Sequence, residues 1–145
     1  MNNLICAVRL IELPNFKARQ DDSSGDLVVL EGNAKIPFDI ARVFLVRASG
    51  GAIRGRHAHR QCVQFMVCST GCIRVTCDDG AETATFTLDR PNLGLLVPPG
   101  IWAEETYEKP HSILTVLCDR PYEEEDYIRD FEEFKAYRIK LKERE

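Results

Sequence analysis

The chain has 145 residues, and 19 Lys and Arg against 23 Asp and Glu give a formal net charge of −4. This length suits one compact domain with a sizeable core, so a single domain over residues 1–145 is predicted. The acidic balance argues against nucleic-acid binding through a broad basic surface. No apolar run reaches the roughly 20 residues of a membrane helix, and the first residues lack the basic segment of a signal peptide. We therefore expect a cytoplasmic protein that binds neither membranes nor nucleic acid.

Short apolar segments separated by turn residues predict strands for most of the chain. Several segments are rich in β-branched and aromatic residues, which suit half-buried sheet surfaces. Their close spacing is typical of a sandwich or a small barrel. Tight turns are expected at Ser69–Gly71 and Asp78–Gly80. The predicted strands are Cys6–Leu13, Leu27–Glu31, Arg42–Ala48, Cys62–Ser69, Cys72–Asp78, Thr83–Leu88, Gly94–Val97 and His111–Asp119.

The six cysteines show no spacing typical of a zinc site or a thioredoxin-type redox site. Four of them lie inside apolar runs. A buried free thiol behaves as a small apolar side chain. We therefore interpret these cysteines as core residues.

The C-terminal segment changes period. From Tyr127 onward, one face of the pattern recurs every three to four positions, at Phe131, Phe134, Tyr137 or Arg138, and Leu141. Acidic residues precede this pattern and basic residues end it, which complements a helix dipole. An amphipathic helix over about residues 124–142 is predicted, packed by its aromatic stripe on a barrel that spans about residues 5–121. The stripe is assigned to core packing and to no chemistry.

Two of the three histidines lie in the sequence His-Ala-His at residues 57–59. Side chains two residues apart in a strand face the same side of the sheet, so both imidazoles are expected on one face. Gly51 precedes the pair, Gln64 follows it after four residues, and Gly71 follows Gln64 after six. This spacing resembles the first sequence motif of the cupin barrels.

The second cupin motif, Pro-x-Gly followed after two residues by a histidine, resembles residues 98–102 but ends in Ala103. Metal-binding cupins use two histidines, a glutamate and a third histidine at these motif positions. Here the glutamate position holds Gln64 and the third histidine is missing. Divalent metals need three or four strong ligands, so we expect no bound metal. The two imidazoles are instead suited to acid–base chemistry near neutral pH.

The chain resembles the dTDP-sugar 3,4-ketoisomerase family of cupins over nearly its whole length. The matching segments follow the family's order along the chain. They are Gly25–Glu31, Ile36–Phe38, Arg54–His59, Gln64, Asp78–Gly80, Pro98–Trp102 and Tyr122–Phe131.

The resemblance implies an all-β fold, a small cupin or jelly-roll barrel with a C-terminal α-helix. It also implies a homodimer that exchanges N-terminal strands and works with no metal or other cofactor. Members of the family act on dTDP-4-keto-6-deoxyglucose and move its carbonyl from C4 to C3 through an enediol. Their products lead to amino-deoxy sugars of surface glycans such as the lipopolysaccharide O-antigen. The expected partner of this chain is therefore a dTDP-linked keto-deoxy sugar.

The family's catalytic residues carry over to the histidine pair. The resemblance implies that His59 removes the C3 proton with His57 beside it, and spacing alone leaves their order open. Three positions depart from the family pattern, one of them Ser24, which stands where an arginine is common and lies outside the residues that the structure describes. Phe44 stands near the place of a tyrosine, so a phenol for proton handling is missing. Ala103 stands where a histidine or arginine is linked to the C4 epimer that is produced.

Four further residues are expected to bind the substrate. Gln64 is expected to hydrogen-bond the sugar and Trp102 to contact the ligand. Arg54 or Arg42 is expected to meet the diphosphate, because a planar guanidinium group suits phosphate oxygens.

Two alternative functions remain open from the sequence. One is a 3,5-epimerase of keto-sugar nucleotides, which calls for a carboxylate partner and a tyrosine acid near the histidine base; neither is apparent near the pair in the sequence. The other is a non-catalytic cupin that binds sugar nucleotides, which Phe44 and Ala103 would favour.

Overall fold

The computed structural model describes residues 4–17 and 25–144. Within these ranges the chain forms strands, two short 3-10 turns at Leu4–Ala7 and Glu124–Asp126, and a helix, α1, at Phe131–Glu143. The strands are β1 (Arg9–Glu12), β2 (Asn15–Lys17), β3 (Asp26–Val28), β4 (Arg42–Ala48), β5 (Ile53–His59), β6 (Gln64–Thr70), β7 (Ile73–Asp78), β8 (Thr83–Leu88), β9 (Leu93–Val97), β10 (Trp102–Tyr107), β11 (Ser112–Cys118) and β12 (Tyr127–Ile128).

Two five-stranded antiparallel sheets form the body of the fold, with strand orders β1-β9-β6-β11-β4 and β12-β5-β10-β7-β8. Strands β2 and β3 form a separate ribbon. Most neighbours within a sheet are distant in sequence, as in the double-sheet jelly rolls. The predicted all-β jelly roll with a C-terminal helix is confirmed.

The main core fills the space between the sheets. Along β7 the fully buried residues Ile73, Val75 and Cys77 alternate with more exposed ones. Cys68 and Cys118 join the same core from β6 and β11. All six cysteines are free and four are buried, so the predicted core position is confirmed for those four. The sulfur atom of Cys118 also accepts hydrogen bonds from Arg42 at 3.5 Å and Gln64 at 3.7 Å, so Cys118 is not a purely apolar side chain.

The strand predictions are correct where inward-facing and outward-facing residues alternate regularly along the chain. Arg42–Ala48 and Thr83–Leu88 coincide with β4 and β8. The predicted strand Cys6–Leu13 is too long, because its first residues coil into a 3-10 turn. Strands β5 and β10 are absent from the list of predicted strands. In β5, Gly55 and Arg56 have positive φ values of 79° and 60°, and pairing with β10 decides the conformation in place of local propensity.

The two predicted turns have different outcomes. Asp78–Gly80 closes the β7–β8 hairpin, where the Asp79 side chain accepts two backbone hydrogen bonds of 2.8 Å. Ser69–Gly71 closes no hairpin, because it carries the chain from β6 in one sheet to β7 in the other. A Cβ atom on Gly71 would lie 2.1 Å from Ser112 Oγ. The close approach of these two segments therefore requires a glycine.

The predicted helix over residues 124–142 is wrong at its start. Residues 124–126 form the 3-10 turn, and Tyr127–Ile128 pair with β5 as β12. Helix α1 begins after Asp130, whose side chain accepts a hydrogen bond of 2.9 Å from an N–H of the first turn. Tyr127 thus belongs to a sheet and not to the helical stripe. Among the described residues, no helix combines the length and apolar character needed to cross a membrane.

Candidate functional site

A cavity of about 230 Å³ lies between the two sheets. Its polar wall is formed by β5, β10 and the segment at β12, and its mostly apolar wall by β4, β6 and β11. The polar wall contributes Arg54, Gly55, His57, Glu105, Tyr107, Tyr127 and Arg129, and the other wall contributes Phe44, Val46, Gln64, Met66, Leu114 and Val116.

The two imidazoles of β5 lie together, as the spacing predicts. Their ring centroids are 5.1 Å apart and the rings meet edge to face. The ring of Tyr127 covers both, with centroids 5.0 Å from His57 and 4.3 Å from His59. His57 lines the cavity, whereas His59 is outside its lining and only 5% exposed. A ligand in the cavity would therefore meet His57 first.

His59 is held from behind by Asp126. The Nδ1 atom of His59 lies 2.9 Å from Asp126 Oδ2. The same carboxylate accepts backbone hydrogen bonds from Gln61 at 2.6 Å and Cys62 at 3.3 Å. With the carboxylate acting as acceptor throughout, Nδ1 of the neutral imidazole carries its proton and Nε2 has the lone pair. This Nε2 atom is buried and has no hydrogen-bond partner within residues 4–17 and 25–144.

Burial keeps both imidazoles neutral near neutral pH. The pKa of His57 is lowered to about 4, first by burial and then by the neighbouring His59. The pKa of His59 is also lowered, because the effect of burial outweighs that of the hydrogen bond that His59 donates to Asp126, which raises it. A neutral imidazole can accept a proton, so the pair is electrostatically suited to act as a base.

Two of the predicted substrate-binding residues line the cavity. The exposed side chain of Arg54 lies on the polar wall. Gln64 is 3% exposed and faces the cavity from the opposite sheet, with its Nε2 atom 3.7 Å from Cys118 Sγ. These two side chains offer a cation and an amide to a bound ligand.

The other two predicted residues lie outside the cavity. Arg42 donates to Cys118 Sγ at 3.5 Å, so it contacts the same sulfur atom as Gln64. The indole of Trp102 packs against the rings of Phe131 and Phe134, with centroids 5.2 and 5.7 Å away. Trp102 therefore anchors helix α1 to the sheet.

Several side chains at the site are missing from the sequence prediction, among them Asp126, Tyr127 and Glu105. Asp126 and Tyr127 were assigned to a helix, where their acidic and aromatic character had an ordinary explanation. Glu105 lies in β10, a strand that the sequence analysis does not identify. The sequence pattern that could have identified it is the alternation of Ala103, Glu105 and Tyr107, which places a carboxyl group at an inward position between two buried residues.

The residues at the cupin metal positions form a weak ligand set. Ala103 pairs with His57 across the sheet and offers only a methyl group. His59, Cys62 and Asp126 bring donor atoms within 4.8 Å of one another. However, the Asp126 oxygens already accept hydrogen bonds from His59 and from two backbone N–H groups. The donor set of the described residues therefore does not fit the three or four strong ligands that a metal-binding cupin supplies.

Comparison with known proteins identifies the family. Residues 6–139 match the family model described as FdtA: WxcM-like, C-terminal. This chain belongs to that family. The match includes both sheets and the site with its histidine pair, as well as most of helix α1.

Relatives of known activity cover most of the chain. The chain is 41% identical over 128 residues to TDP-4-oxo-6-deoxy-alpha-D-glucose-3,4-oxoisomerase from Aneurinibacillus thermoaerophilus, covering 88% of this chain and 91% of that protein. It resembles the structure of QdtA, a sugar 3,4-ketoisomerase from Thermoanaerobacterium thermosaccharolyticum in complex with TDP, with TM-score 0.85, 30% identity and coverage of 92% and 96%. A histidine-to-asparagine mutant of QdtA was solved in complex with TDP-4-keto-6-deoxyglucose. A 3,4-ketoisomerase from Helicobacter canadensis is similar with TM-score 0.83, 28% identity and coverage of 91% and 97%.

Proposed function

We propose that this protein is a nucleotide-sugar 3,4-ketoisomerase that acts on dTDP-4-keto-6-deoxyglucose. The observation that carries this proposal is a neutral imidazole, His57, in the wall of a cavity that also holds the guanidinium group of Arg54. The similarity to the oxoisomerase from Aneurinibacillus thermoaerophilus supports the same substrate class. Arg54 is proposed to bind the diphosphate and Gln64 to hydrogen-bond the sugar.

The reaction moves a proton from C3 to C4 and the carbonyl in the opposite direction. The ketone at C4 acidifies the C3 proton, and a neutral imidazole removes it. The C–H electron pair forms a C3=C4 double bond while the carbonyl oxygen takes up a proton, giving the enediol. The imidazolium then returns its proton to C4 as the carbonyl forms at C3. A single base that reaches both carbons serves both steps.

We assign this proton transfer to His57, the alternative that the sequence left open, with His59 as a positioning residue. The support is the position of His57 in the cavity wall and the burial of His59 behind it. His59 is fixed by Asp126 and contacts the face of Tyr127. This arrangement orients the ring that lies edge-on to His57.

Incubation with dTDP-4-keto-6-deoxyglucose in deuterated water tests the function. We expect deuterium at C4 of a 3-keto product. Label at C3 and C5 of a 4-keto sugar would instead show an epimerase. Tight binding of the sugar nucleotide without exchange would show a non-catalytic binding protein.

The second candidate function is a 3,5-epimerase of keto-sugar nucleotides. The observation in its favour is that the carboxylate of Asp126 and the ring of Tyr127 lie beside the histidine pair. Both residues are distant from residues 57–59 in the sequence, so the sequence analysis did not identify them as partners of the histidine base. The Tyr127 ring centroid lies 4.3 Å from that of His59. The positions of deuterium in the product separate this function from the first.

The chain is further proposed to form a homodimer by exchange of N-terminal strands. β1 lies at the edge of its sheet and pairs there with β9, and the same pairing with a second copy would give the exchanged dimer. Leu10 of β1 is 44% exposed in the single chain. Sedimentation at micromolar concentration is expected to show a dimer that Leu10→Arg weakens. Ile139→Arg, at a similarly exposed helix position, is the control, and a wild-type monomer would overturn the proposal.

We further propose that the protein is located in the cytoplasm. We also propose that it takes part in making amino-deoxy sugars for surface glycans such as the O-antigen. The six free thiols suit a reducing compartment. The 3-keto product is the substrate that an aminotransferase needs to place an amino group at C3. Cell fractionation and a coupled assay with such an aminotransferase test these two statements.

A further inference from the structure

Glu105 is a buried carboxylic acid in the polar wall of the cavity. It is 5% exposed and lies between the buried residues Ala103 and Tyr107 on the inward face of β10. Within residues 4–17 and 25–144, no hydrogen bond or ion pair joins its carboxyl group to another residue, whereas its neighbour Glu104 pairs with Arg56 at 3.9 Å. Burying a carboxyl group whose only hydrogen bond is to its own backbone is costly, so its position in the cavity wall requires an explanation.

The backbone of the neighbouring strand makes room for this carboxyl group. A Cβ atom on Gly55 would lie 2.0 Å from Glu105 Oε2. Gly55 also has a φ of +79°, and the pairing of β10 with β5 is irregular between Ala103 and Glu104. Such irregularities redirect side chains next to functional sites. The backbone of β5, the strand that carries His57, thus leaves space at Gly55 for the carboxyl group of Glu105.

The proposed reaction needs a proton carrier for oxygen as well as one for carbon. During isomerisation the O4 atom gains a proton and the O3 atom loses one. Phe44, which lines the cavity near the position where the family resemblance implies a phenol, has no hydroxyl group. The hydroxyl group of Tyr107 is buried and unpartnered within the described chain, and burial raises its pKa to about 12. A phenol with so high a pKa keeps its proton near neutral pH and is a poor proton donor to O4.

We propose that Glu105 carries the proton between the two sugar oxygens while the imidazole moves the proton between the two carbons. The proposal rests on the proposed ketoisomerase function. As C3–H breaks, its electron pair forms the C3=C4 bond, the carbonyl π pair moves to O4, and the Glu105 carboxylic acid protonates O4. The carboxylate then takes the O3 proton, its O–H pair forms the C3=O3 bond, and C4 receives the proton from the imidazolium. Glu105 and the imidazole both end in their starting states, so no further reactant is needed.

The electrostatics of the wall agree with this role. Burial raises the pKa of Glu105 to about 7. A hydrogen bond to its own backbone opposes this rise, the charge of Glu104 adds to it, and the charge of Arg54 opposes it. A carboxyl group with a pKa near the working pH exchanges protons in both directions with little cost.

Glu105→Gln tests the proposal, because the amide keeps the size of the side chain and can still hydrogen-bond O4 but cannot carry the proton. We expect isomerisation to fall by roughly 10²-fold or more, while exchange of the C3 proton with solvent falls far less. Glu105→Asp retains the carboxyl group and should recover part of the lost turnover. Glu108→Gln is the matched control, since it removes an exposed carboxylate one residue beyond β10, where it pairs with Arg74 at 3.2 Å, and it should leave turnover unchanged.

Binding of dTDP and thermal unfolding of each variant show whether the fold and the pocket are intact. Near-normal isomerisation by Glu105→Gln would overturn the proposal. Parallel loss of exchange and turnover in both Glu105 variants would also overturn it, because it would show a structural role. A wild-type protein without isomerase activity would instead contradict the proposed function itself.

Discussion

His59 and Asp126 form a hydrogen bond of 2.9 Å between Nδ1 and a carboxylate oxygen, although 67 residues separate them in the chain. Both side chains are 6% exposed. The bond joins β5 to the 3-10 turn before β12, so it fixes the ring of His59 and the position of the neighbouring Tyr127 together. Asp126 therefore holds the His59 ring in the orientation in which it lies edge-on to His57.

The histidine variants rank the two imidazoles. His57→Asn is expected to lower turnover by roughly 10²–10⁴-fold, because it removes the base that faces the cavity. His59→Asn is expected to cost less and to leave measurable exchange of the C3 proton with solvent. The measurement is solvent exchange at C3 together with dTDP affinity in both variants. Near-normal exchange in His57→Asn would show that His59 is the base.

Asp126→Asn is expected to lower turnover by less than the roughly 10²–10⁴-fold of an acid–base residue, because His59 loses its fixed tautomer and orientation while His57 remains. The hydrogen bond that His59 donates to Asp126 raises the pKa of His59, so NMR titration should show a lower pKa for His59 in this variant. Asp119→Asn is the control, since that carboxylate also accepts a backbone hydrogen bond, at 3.0 Å from Val63. An unchanged His59 titration would contradict the assigned hydrogen bond.

His57 should make the fold less stable in mild acid. Its pKa is lowered to about 4 by burial, by His59 and by Arg129, against about 6.5 in an unfolded chain. The unfolded state therefore binds the proton first as the pH falls from about 6.5 to 4, and His57 lowers the free energy of unfolding by up to about 3 kcal/mol over that range. Urea unfolding at several pH values should show that His57→Asn removes this loss, whereas His111→Asn, at an exposed position, does not.

Glu105 should have the opposite effect over nearly the same range. Its pKa is raised to about 7 by burial, with Glu104 adding to the rise and Arg54 opposing it. The carboxyl group therefore contributes stability below its unfolded pKa, and this contribution is lost as the pH rises from about 4.5 to 7. In Glu105→Gln the free energy of unfolding should rise more steeply with pH than in the wild type. Identical slopes would show that the carboxyl group titrates normally.

Activity should survive exhaustive chelation, because Gln64 and Ala103 occupy two of the four cupin ligand positions. Turnover is compared before and after treatment with a strong chelator, together with elemental analysis of the protein. A stoichiometric transition metal whose removal abolishes turnover would contradict this expectation.

Local patterns in the sequence were sufficient for the regular parts of the fold and for the family. Strands β4 and β8 alternate without interruption and were predicted at their observed bounds. The spacing around residues 57–59 identified the imidazole pair, because two residues in a strand always return to the same face. Motif segments along the chain identified the family, because their residues and their order can be compared without knowledge of the tertiary structure.

Only the tertiary structure decided which imidazole faces the cavity and what surrounds it. Tyr127 has a helical neighbourhood in sequence but pairs with His59 across a sheet, because long-range hydrogen bonding outweighs weak local propensity. Glu105 lies in β10, where two consecutive glutamates interrupt the alternation of apolar and polar residues that identifies a strand. Its burial depends on the space that Gly55 leaves beside it. Proton affinities depend on burial and on neighbours distant in the chain, so they arise only when the two sheets close around the cavity.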